Sequence, residues 1–396
     1  MTFSRNTKSV GQNRNSKVTG KPKHKKKEST LDPRLLSKKA QPSGQEGFQS
    51  VIPFSELNLN INLLKNIGAK GYQRMTYIQE KSIVPLLQGR NLLGISNTGS
   101  GKTGAFLIPI IEHAKADPLN YSALIVTPTR ELALQIEEEF KSLAKGMNLS
   151  SNTFIGGTNI NSDFKALKRK LHIIVGTPGR LLDLTDRKLL NLNRINTLVL
   201  DEFDRMLDMG FVHDVKKLVN LMVSRKQTML FSATLDPAQK KLIDGLLHNP
   251  VEVKVNTGGT TSENVDQETI KVPEGKDKFD MLSGLFKNKD LDRVIIFMET
   301  KRLADQIAKK LNQVGVKSGL IHGNKSQNFR NRTIEEFKSG ITRVLVATDV
   351  AARGIDVADV SHVINYQLPM SMDSYIHRIG RTGRAGKTGR AITFVN

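Results

Sequence analysis

Residues 91–114, NLLGISNTGSGKTGAFLIPIIEHA, join a short apolar run to a glycine-rich loop and then to a second apolar segment with helical spacing. Strand, loop and helix in this order form the context of a phosphate-binding loop. The loop SNTGSGKTG matches the end of the G-x-x-x-x-G-K-[ST] pattern, although Ser96 stands where the first glycine is usual. Because the entrance of such a loop needs a small residue, the pattern favours a nucleotide site over a chance Gly/Ser turn.

Each part of this loop has a predicted role. Gly99 and Gly101 permit close approach of the backbone, and the amides of the loop and of the helix N-terminus face the phosphates. Lys102 is predicted to reach the β and γ phosphates, and Thr103 to ligate Mg²⁺. The other loop residues predicted to bind the nucleotide are Ser96, Asn97, Thr98 and Ser100.

Short β-branched runs alternate with amphipathic segments along most of the chain. The runs before residue 256 are NLLGI, SALIVT, HIIV, TLVL and QTMLF, and those after residue 266 are RVIIFM, VKSGLI, RVLVAT, VSHVINY and RAITFV. This alternation predicts βα repeats and parallel sheets. The polar stretch NTGGTTSENVD is typical of a linker. The sequence therefore predicts an α/β fold with domains at residues 48–255 and 267–396, joined by a linker at 256–266.

Residues 1–47 form a separate segment with almost no large apolar residues, which predicts a disordered basic tail. The chain has a formal net charge of +22, and residues 1–45 hold twelve Lys and Arg against Glu28 and Asp32. A basic tail on a basic body is the electrostatic pattern of a nucleic-acid binder. A charge run that only keeps the chain soluble is the alternative interpretation.

Composition also argues against several classes of protein. The chain has no cysteine, so it forms no disulfide and no thiolate metal site, which fits a reducing compartment. No apolar run approaches the roughly 18 residues of a membrane span, and the N-terminus lacks the apolar core of a secretory signal. A mitochondrial transit peptide is a closer alternative, but Phe3, Val10 and Val18 do not make an amphipathic helix face. We therefore expect no membrane partner.

An acidic motif follows one of the predicted strands. DEFD at residues 201–204 comes directly after NTLVL, which places its carboxylates at the carboxyl end of a parallel strand. There Asp201 can hold Mg²⁺ through water, and Glu202 can orient or deprotonate an attacking water. An acidic first turn of a helix is the structural alternative, since Asp and Glu favour that position.

With these motifs the sequence resembles the DEAD-box RNA helicases of helicase superfamily 2 over roughly residues 54–395. The nucleotide loop of that family has a small residue in place of the first glycine, as Ser96 is here. The resemblance implies two tandem RecA-like domains, an ATP-dependent RNA helicase that is an RNA-dependent ATPase, and ATP and Mg²⁺ as cofactors. RNA is the implied partner, bound largely without regard to sequence.

Further motifs of the family imply further site residues. GYQRMTYIQ at residues 71–79 resembles the adenine-reading motif, in which the amide of Gln79 can pair with adenine. The other residues implied to bind the nucleotide are Phe54, Tyr72, Thr76 and, at the ribose, Asp356. The implied RNA contacts are Pro128, Thr129, Arg130, Gly157, Thr177, Pro178, Gly179 and Arg180 in the first domain, with Gln327, Arg330 and Thr348 in the second.

Two motifs imply communication between the domains. SAT at residues 232–234 resembles the motif that couples hydrolysis to RNA separation, and the implied coupling residues are Asp204, Ser232, Thr234 and His377. HRIGRTGR at residues 377–384 implies that Arg381 and Arg384 are arginine fingers supplied across the interdomain cleft. Such an arginine contributes on the order of 10³ to 10⁵ in rate. A solvated basic loop is the alternative for this motif taken alone.

The chain departs from the family pattern at three places. Phe203 stands where alanine is usual, so we expect altered packing near Glu202. Met75 replaces the usual proline, which is expected to loosen the adenine-binding turn. The family normally adds a closing helix after RAITFV, so we expect the second domain to be incomplete or its last strand to be poorly covered.

Two rival functions stay open from the sequence: a DNA-acting member of the same superfamily, and an ATP-gated RNA clamp with slow hydrolysis. Intact Lys102, Glu202, Arg381 and Arg384 favour an active ATPase but are also compatible with a clamp. We expect a monomer in the bacterial cytoplasm that serves ribosomal or RNA-decay complexes. A nuclear or nucleolar role is the alternative, because KPKHKKK at residues 21–27 can act as a localisation signal.

Overall fold

The computed structural model describes residues 29, 31–40, 49–96, 99–255, 264–287, 291–352, 360–383 and 387–395. An antiparallel ribbon of β1 (Gln49–Pro53) and β2 (Arg74–Thr76) precedes two parallel sheets. Each apolar run that predicted a strand forms one, and the segment GAFLIPIIEHA lies in a buried helix. The prediction of two parallel-sheet α/β units is confirmed.

The first sheet consists of β3 (Leu92–Ile95), β4 (Ala123–Val126), β5 (Ser151–Phe154), β6 (Ile173–Gly176), β7 (Thr197–Leu200), β8 (Gln227–Ser232) and β9 (Val251–Lys254). These strands lie in the order β5-β6-β4-β7-β8-β3-β9, and all neighbours are parallel. Its helices are α1 (Ile61–Ala69), α2 (Tyr77–Leu87), α3 (Lys102–Ala116), α4 (Arg130–Leu143), α5 (Ile160–Leu167), α6 (Pro178–Asp186), α7 (Phe203–Asp208), α8 (Val212–Leu221) and α9 (Pro237–Asp244). Two apolar clusters cover the two faces of this sheet.

The second sheet consists of β10 (Val265–Lys271), β11 (Val294–Met298), β12 (Ser318–Ile321), β13 (Val344–Thr348), β14 (His362–Asn365) and β15 (Gly389–Val395). These strands lie in the order β10-β15-β14-β11-β13-β12 and are again all parallel. Its helices are α10 (Lys278–Leu285), α11 (Lys301–Gln313), α12 (Gln327–Lys338), α13 (Asp349–Ala352) and α14 (Met372–Ile379). None of the helices within the described residues is long and apolar enough to cross a bilayer.

Corresponding helices in the two domains begin in the same way. Thr129 accepts a hydrogen bond from the amide of Leu132 at the start of α4, and Thr300 accepts one from Leu303 at the start of α11. Each threonine satisfies an amide that the first helical turn leaves without a partner. In both sheets the carboxyl ends of the parallel strands meet at one edge, and the predicted motifs follow those ends.

Three edge strands were not predicted from the sequence: β5, β9 and β10. Their sequences, SNTF, VEVK and VDQETIK, are partly exposed and lack an apolar run. Because β10 begins at Val265, the last two residues of the predicted linker belong to a strand. Linker residues 256–263 lie outside the described residues.

Part of the predicted tail is folded. Asp32 caps a 3₁₀-helix at Pro33–Leu36, Leu36 is fully buried, and Lys38 pairs with Gln267 of β10. The prediction of disorder is therefore wrong for residues 31–40, because the apolar residues of LDPRLL are concentrated where the average composition of the tail conceals them. Residues 1–28 and 41–48 lie outside the described residues.

The structure shows what surrounds each of the three departures from the family pattern. Met75 is buried in the core of the first domain beside Phe54, and Phe203 is buried on the opposite face of the same sheet. Strand β15 lies between β10 and β14, and the side chains of Ala391 and Phe394 are buried. The expectation of a poorly covered last strand is wrong, because α14, the 31–40 segment and the α10 and α11 layer pack on its two faces.

Candidate active site and interdomain contacts

The phosphate loop is closed at its entrance by Ser96. The hydroxyl of Ser100 donates to the hydroxyl of Ser96 at 3.0 Å, and Lys102 Nζ donates to the carbonyl of Ser96 at 2.8 Å. The amide of Ser96 donates to the carbonyl of Ser232 at 3.0 Å. Ser96 is buried, so a small side chain with a hydroxyl fits a site where glycine is usual in other phosphate loops. Asn97 and Thr98 lie outside the described residues.

Gln79 connects the adenine-reading motif to the phosphate loop. Its Nε2 donates to the carbonyl of Gly101 at 3.0 Å, and its Oε1 accepts from the amide of Thr76 at 2.9 Å. Gly101 has a φ of 94°, and a Cβ there would lie 2.8 Å from Gln79 Nε2 and 2.7 Å from the Thr76 hydroxyl. Only glycine combines this backbone conformation with this close approach. A base that binds at Gln79 is thereby linked to the loop that holds its phosphates.

The acidic motif occupies the turn between β7 and α7. Asp201 and Glu202 are both buried, and Glu202 adopts a left-handed conformation with φ 53° and ψ 51°. A residue other than glycine in that region carries strain, which is commonly found at functional sites. The turn directs the Glu202 carboxylate into the cleft while the next residue, Phe203, enters the core.

The two carboxyl groups have opposite electrostatic environments. Burial, opposed by Lys102 and reinforced by Glu202, raises the pKa of Asp201 to about 6. Burial would also raise the pKa of Glu202, but the charges of Arg205, Lys102 and Arg381 outweigh it and hold that pKa below its usual value. Arg205 Nη1 lies 2.6 Å from Glu202 Oε2 in a pair that is almost fully buried. Glu202 is therefore the more readily ionised of the two, and Asp201 is the carboxylate that gains most from a bound cation.

One cavity of about 720 Å³ unites these groups. The predicted nucleotide residues that line it are Tyr72, Thr76, Gln79, Gly99, Gly101, Lys102, Thr103, Asp201, Glu202 and Arg381. Arg381 follows α14 in the second domain, so residues distant in sequence meet here. Phe54 does not line this cavity, because it packs in the apolar core with 3% of its surface exposed. The prediction that Phe54 contacts the nucleotide is therefore corrected: Phe54 packs in the core and supports the adenine motif from below. Asp356 and Arg384 lie outside the described residues.

The residues of this cavity fit ATP with Mg²⁺. The volume is in the range of nucleotide sites, and the N-terminus of α3 points its free amides at the loop. Thr103 and Asp201 supply the hydroxyl and carboxylate oxygens that Mg²⁺ prefers.

Among the predicted RNA contacts of the first domain, the two arginines are held in place by neighbouring protein groups. Arg130 packs on the glycine pair, and a Cβ on Gly157 would lie 2.6 Å from Arg130 Nη1. Arg180 is held by Asp163 at 2.8 Å and by the carbonyl of Thr158 at 3.0 Å. Of the remaining predicted contacts, Gly179 is exposed, Thr177 is partly exposed, and Pro128, Thr129 and Pro178 are buried.

Gln327 and Arg330 join the domains instead of facing an open groove. Gln327 Nε2 donates to Glu131 Oε1 at 3.0 Å, and Arg330 Nη2 lies 2.9 Å from the same oxygen. Arg130 Nη1 donates to Gln327 Oε1 at 3.3 Å. The prediction that Gln327 and Arg330 contact RNA directly is corrected here, because the Gln327 amide and an Nη of Arg330 are engaged by protein groups. Glu131 lies in the quoted PTREL motif, but nothing in a single sequence indicates its partners.

The predicted coupling residues are close to one another in the first domain. Ser232 Oγ donates to the carbonyl of Thr234 at 2.7 Å, and the Thr234 hydroxyl donates to Asp204 Oδ2 at 3.4 Å, which is long for a hydrogen bond. Thr234 and Asp204, two of the implied coupling residues, are thus in contact. His377 is partly buried on α14, in the second domain.

Sequence reasoning missed an ion pair in the second domain between a buried arginine and a partly exposed aspartate. Arg378 Nε and Nη2 lie 2.6 and 2.7 Å from the two oxygens of Asp349. Asp349 directly follows Thr348, a predicted RNA contact, and Arg378 is three residues before Arg381. The pair therefore fixes α14, which positions Arg381, against the end of β13.

Comparisons with known proteins agree with this site. The profile of the DEAD/DEAH box helicase domain matches residues 76–242, and that of the helicase conserved C-terminal domain matches residues 277–386. The DEAD-box ATP-dependent RNA helicase CshA of Bacillus subtilis is 42% identical over 344 residues, which are 87% of this chain and 69% of CshA. This chain therefore belongs to the DEAD-box helicase family. It is an ATP-dependent RNA helicase, an enzyme that hydrolyses ATP and acts on RNA.

Solved structures of related helicases match most of the chain. Dbp5 of S. cerevisiae bound to RNA and ADP BeF3 matches with a TM-score of 0.76 at 34% identity, covering 87% of this chain and 89% of that one. A Dbp5 variant bound to nup159, a gle1 variant, ip6 and adp matches with a TM-score of 0.59 at 32% identity, covering 86% and 89%. By overall similarity, this chain is thus closer to the RNA-bound Dbp5 structure than to the Dbp5 variant bound to nup159.

Proposed function

We propose that this chain separates RNA duplexes locally, or remodels RNA–protein complexes, by closing its two domains over ATP. The observation that carries the proposal is the presence of Arg381 from the second domain in the cavity that holds Lys102, Asp201 and Glu202 of the first. A site that is complete only when two domains meet ties the chemical step to their relative position.

The roles of the site residues follow from their positions. Lys102 binds the phosphates, and Glu202 orients or deprotonates the attacking water. Thr103 and Asp201 would hold Mg²⁺, which supplies charge neutralisation on the phosphates when bound. Arg381, with Arg384 as the second proposed finger, stabilises the charge that develops on the transferred phosphoryl group. Phosphate release then weakens the attraction between the domains, and the cleft opens.

RNA binding is proposed to span both domains. Closure brings the Gly157 and Arg180 surface of the first domain beside Thr348 of the second. Most hydrogen bonds to phosphates and sugars ignore sequence, and contacts to 2′-hydroxyls give the preference for RNA. A bent path for one strand excludes a rigid duplex, so the second strand is released locally.

An ATP-gated clamp is the second candidate function. The contacts of Glu131 with Gln327 and Arg330 favour it, because they join the domains without using any catalytic group. Hydrolysis in such a protein is incidental, and bound RNA is retained for as long as the cleft stays closed.

The cellular setting is also a proposal. We infer a monomer in the bacterial cytoplasm that acts on RNA in ribosome assembly or RNA decay. The similarity to the B. subtilis helicase supports a bacterial setting. The absence of cysteine fits a reducing compartment.

ATP hydrolysis with single-stranded RNA, with matched DNA and without nucleic acid tests the proposal. RNA alone is expected to stimulate hydrolysis, and Glu202→Gln is expected to lower the stimulated rate by about 10² to 10⁴, as loss of a general base does. Glu138→Gln, on the exposed face of α4, is the control with unchanged activity. Hydrolysis that ignores RNA contradicts the proposal, and RNA retention without duplex separation favours the clamp.

A further inference from the structure

Residues 31–40, which we call the strap, are packed against the second domain although the chain continues from them into the first. Leu36 is fully buried, whereas its neighbour Leu35 is 69% exposed. The apolar cluster around Leu36 consists of Val265, Tyr375, Ile379 and Ala391, with Leu31 and Leu368 at its border. One side chain of the strap therefore fills a gap between α14 and the sheet.

The backbone of the strap also pairs with the second sheet. The amide of Lys38 donates to the carbonyl of Gln267 at 3.0 Å, and the amide of Gln267 donates back to Lys38 at 2.8 Å. The amide of Ala40 donates to Asp266 Oδ1 at 2.9 Å. Strand β10 is an edge of its sheet, so the strap satisfies backbone groups that an edge strand leaves free.

From the strap the chain passes to the adenine-binding side of the first domain. Nine peptide units separate Ala40 from Gln49, the first residue of β1. Strand β1 pairs with β2, which ends at Thr76, and the amide of Thr76 is bonded to Gln79. At about 3.3 to 3.6 Å per residue, this connection spans at most about 30 Å.

The linker makes a second connection of the same length. Nine peptide units also separate Val255, after β9, from Asn264, before β10. Both connections leave the second domain at the amino end of β10, because Ala40 is bonded to Asp266 there. They reach the first domain at different strands, β1 and β9. A single covalent connection allows rotation about any axis, whereas two that end at separate points restrict twisting and limit the separation of the domains.

We propose that the strap is a second tether that keeps the domains close and confines their motion to a hinge while the cleft is open. The tether raises the effective concentration of the second domain at the first, so less binding energy from RNA and nucleotide is needed for closure. The docking and the distance limit are independent of the ATPase. Their effect on RNA-stimulated hydrolysis rests on the proposed function.

The distance between the domains in the full-length protein tests the tether. The chain has no cysteine, so cysteines introduced at the exposed Val223 and Ile341 give one dye in each domain for energy transfer. Leu36→Asp is expected to increase and broaden the interdomain distance of the nucleotide-free protein. Leu35→Asp adds the same charge at an exposed position and is expected to leave it unchanged. With RNA and a non-hydrolysable ATP analogue, all variants are expected to reach the same closed distance.

A second variant leaves the docked residues intact. Insertion of 18 Gly and Ser residues between Gly44 and Gln45 lengthens the connection, and is expected to increase the open-state distance without lowering the melting temperature. Equal nucleotide-free distances in wild type, Leu36→Asp and the insertion variant overturn the proposal.

The enzymatic consequence is measured separately. Tripling the length of the connection lowers the effective concentration by at most about fivefold, because the linker remains, so the RNA concentration for half-maximal ATPase is expected to rise by up to that factor at constant kcat. If wild-type hydrolysis does not respond to RNA, the proposed function fails while the distance measurement still decides the tether. If the distances change but the RNA dependence does not, the tether holds and its proposed effect on closure is wrong.

Discussion

The two domains contribute unequally to the cleft between them. Every described residue that lines the nucleotide cavity belongs to the first domain except Arg381. The contact around Glu131 has a larger share of residues from the second domain. There Glu131 of the first domain contacts Gln327 and Arg330 of the second. The first domain thus supplies nearly all of the described cavity wall, and we propose that the second determines when a bound nucleotide is hydrolysed.

Replacement of Arg381 by alanine tests this division most strongly. The hydrolysis rate at saturating RNA is expected to fall by about 10³ to 10⁵, because an arginine finger stabilises the transition state. Affinity for an ATP analogue is expected to change little, since the first domain forms the rest of the cavity. Single-turnover hydrolysis and analogue binding measure the two effects, with Arg390→Ala on the exposed side of β15 as control. A large loss of affinity at an unchanged rate contradicts the division.

Glu131→Gln tests the second contact. It removes the charge that pairs with Arg330 and leaves that guanidinium buried without a carboxylate, so kcat/KM for RNA-stimulated hydrolysis is expected to fall roughly 10- to 100-fold. ATP analogue binding is expected to stay intact because Glu131 does not line the cavity. The exposed Glu138 on the same helix gives the matched control, Glu138→Gln. If both variants behave alike, the contact does not stabilise the closed state.

Gly157→Ala and Gly146→Ala form a pair with a smaller expected difference. Both glycines have positive φ, 84° and 76°, so each substitution costs a similar backbone strain of about 1 kcal/mol. Only at position 157 does the added Cβ collide, 2.6 Å from Arg130 Nη1. We expect similar melting temperatures, with RNA affinity weakened about fivefold for Gly157→Ala alone. Equal RNA affinities of the two variants would show that Arg130 is not part of the RNA-binding surface.

Tyr72→Phe carries the smallest expected effect. The ring stays in the cavity wall, but the hydroxyl loses its hydrogen bond to Glu139 Oε1, which is 3.2 Å long and exposed. The KM for ATP is expected to rise about two- to threefold, as for loss of one solvated hydrogen bond. Tyr77→Phe is the control, because Tyr77 is similarly exposed and does not line the cavity. A tenfold rise assigns the hydroxyl a direct contact with ATP.

Local sequence was enough to predict the interior strands and the phosphate loop, because an apolar run, a Gly-rich turn and a lysine act within a few residues. The partners of Gln327 and Arg330 could not be predicted, since Glu131 lies nearly 200 residues away and the contact depends on domain placement. The ion pair of Arg378 and Asp349 was not predicted for a related reason. In the sequence each is an ordinary charged residue, and only the folded structure brings the two together. Leu36 was hidden by the polar composition around it.

The left-handed turn at Glu202 has a consequence for how this enzyme can evolve. Because Glu202 adopts a left-handed conformation, the side chain that lines the cavity and the one that fills the core, Phe203, are covalent neighbours. We therefore expect variation at Phe203 to change the direction of the neighbouring Glu202 carboxylate. If so, selection can change the ATPase rate through the volume of a buried apolar side chain, and a screen for faster or slower enzymes should sample the interior beneath the turn as well as the charged residues above it.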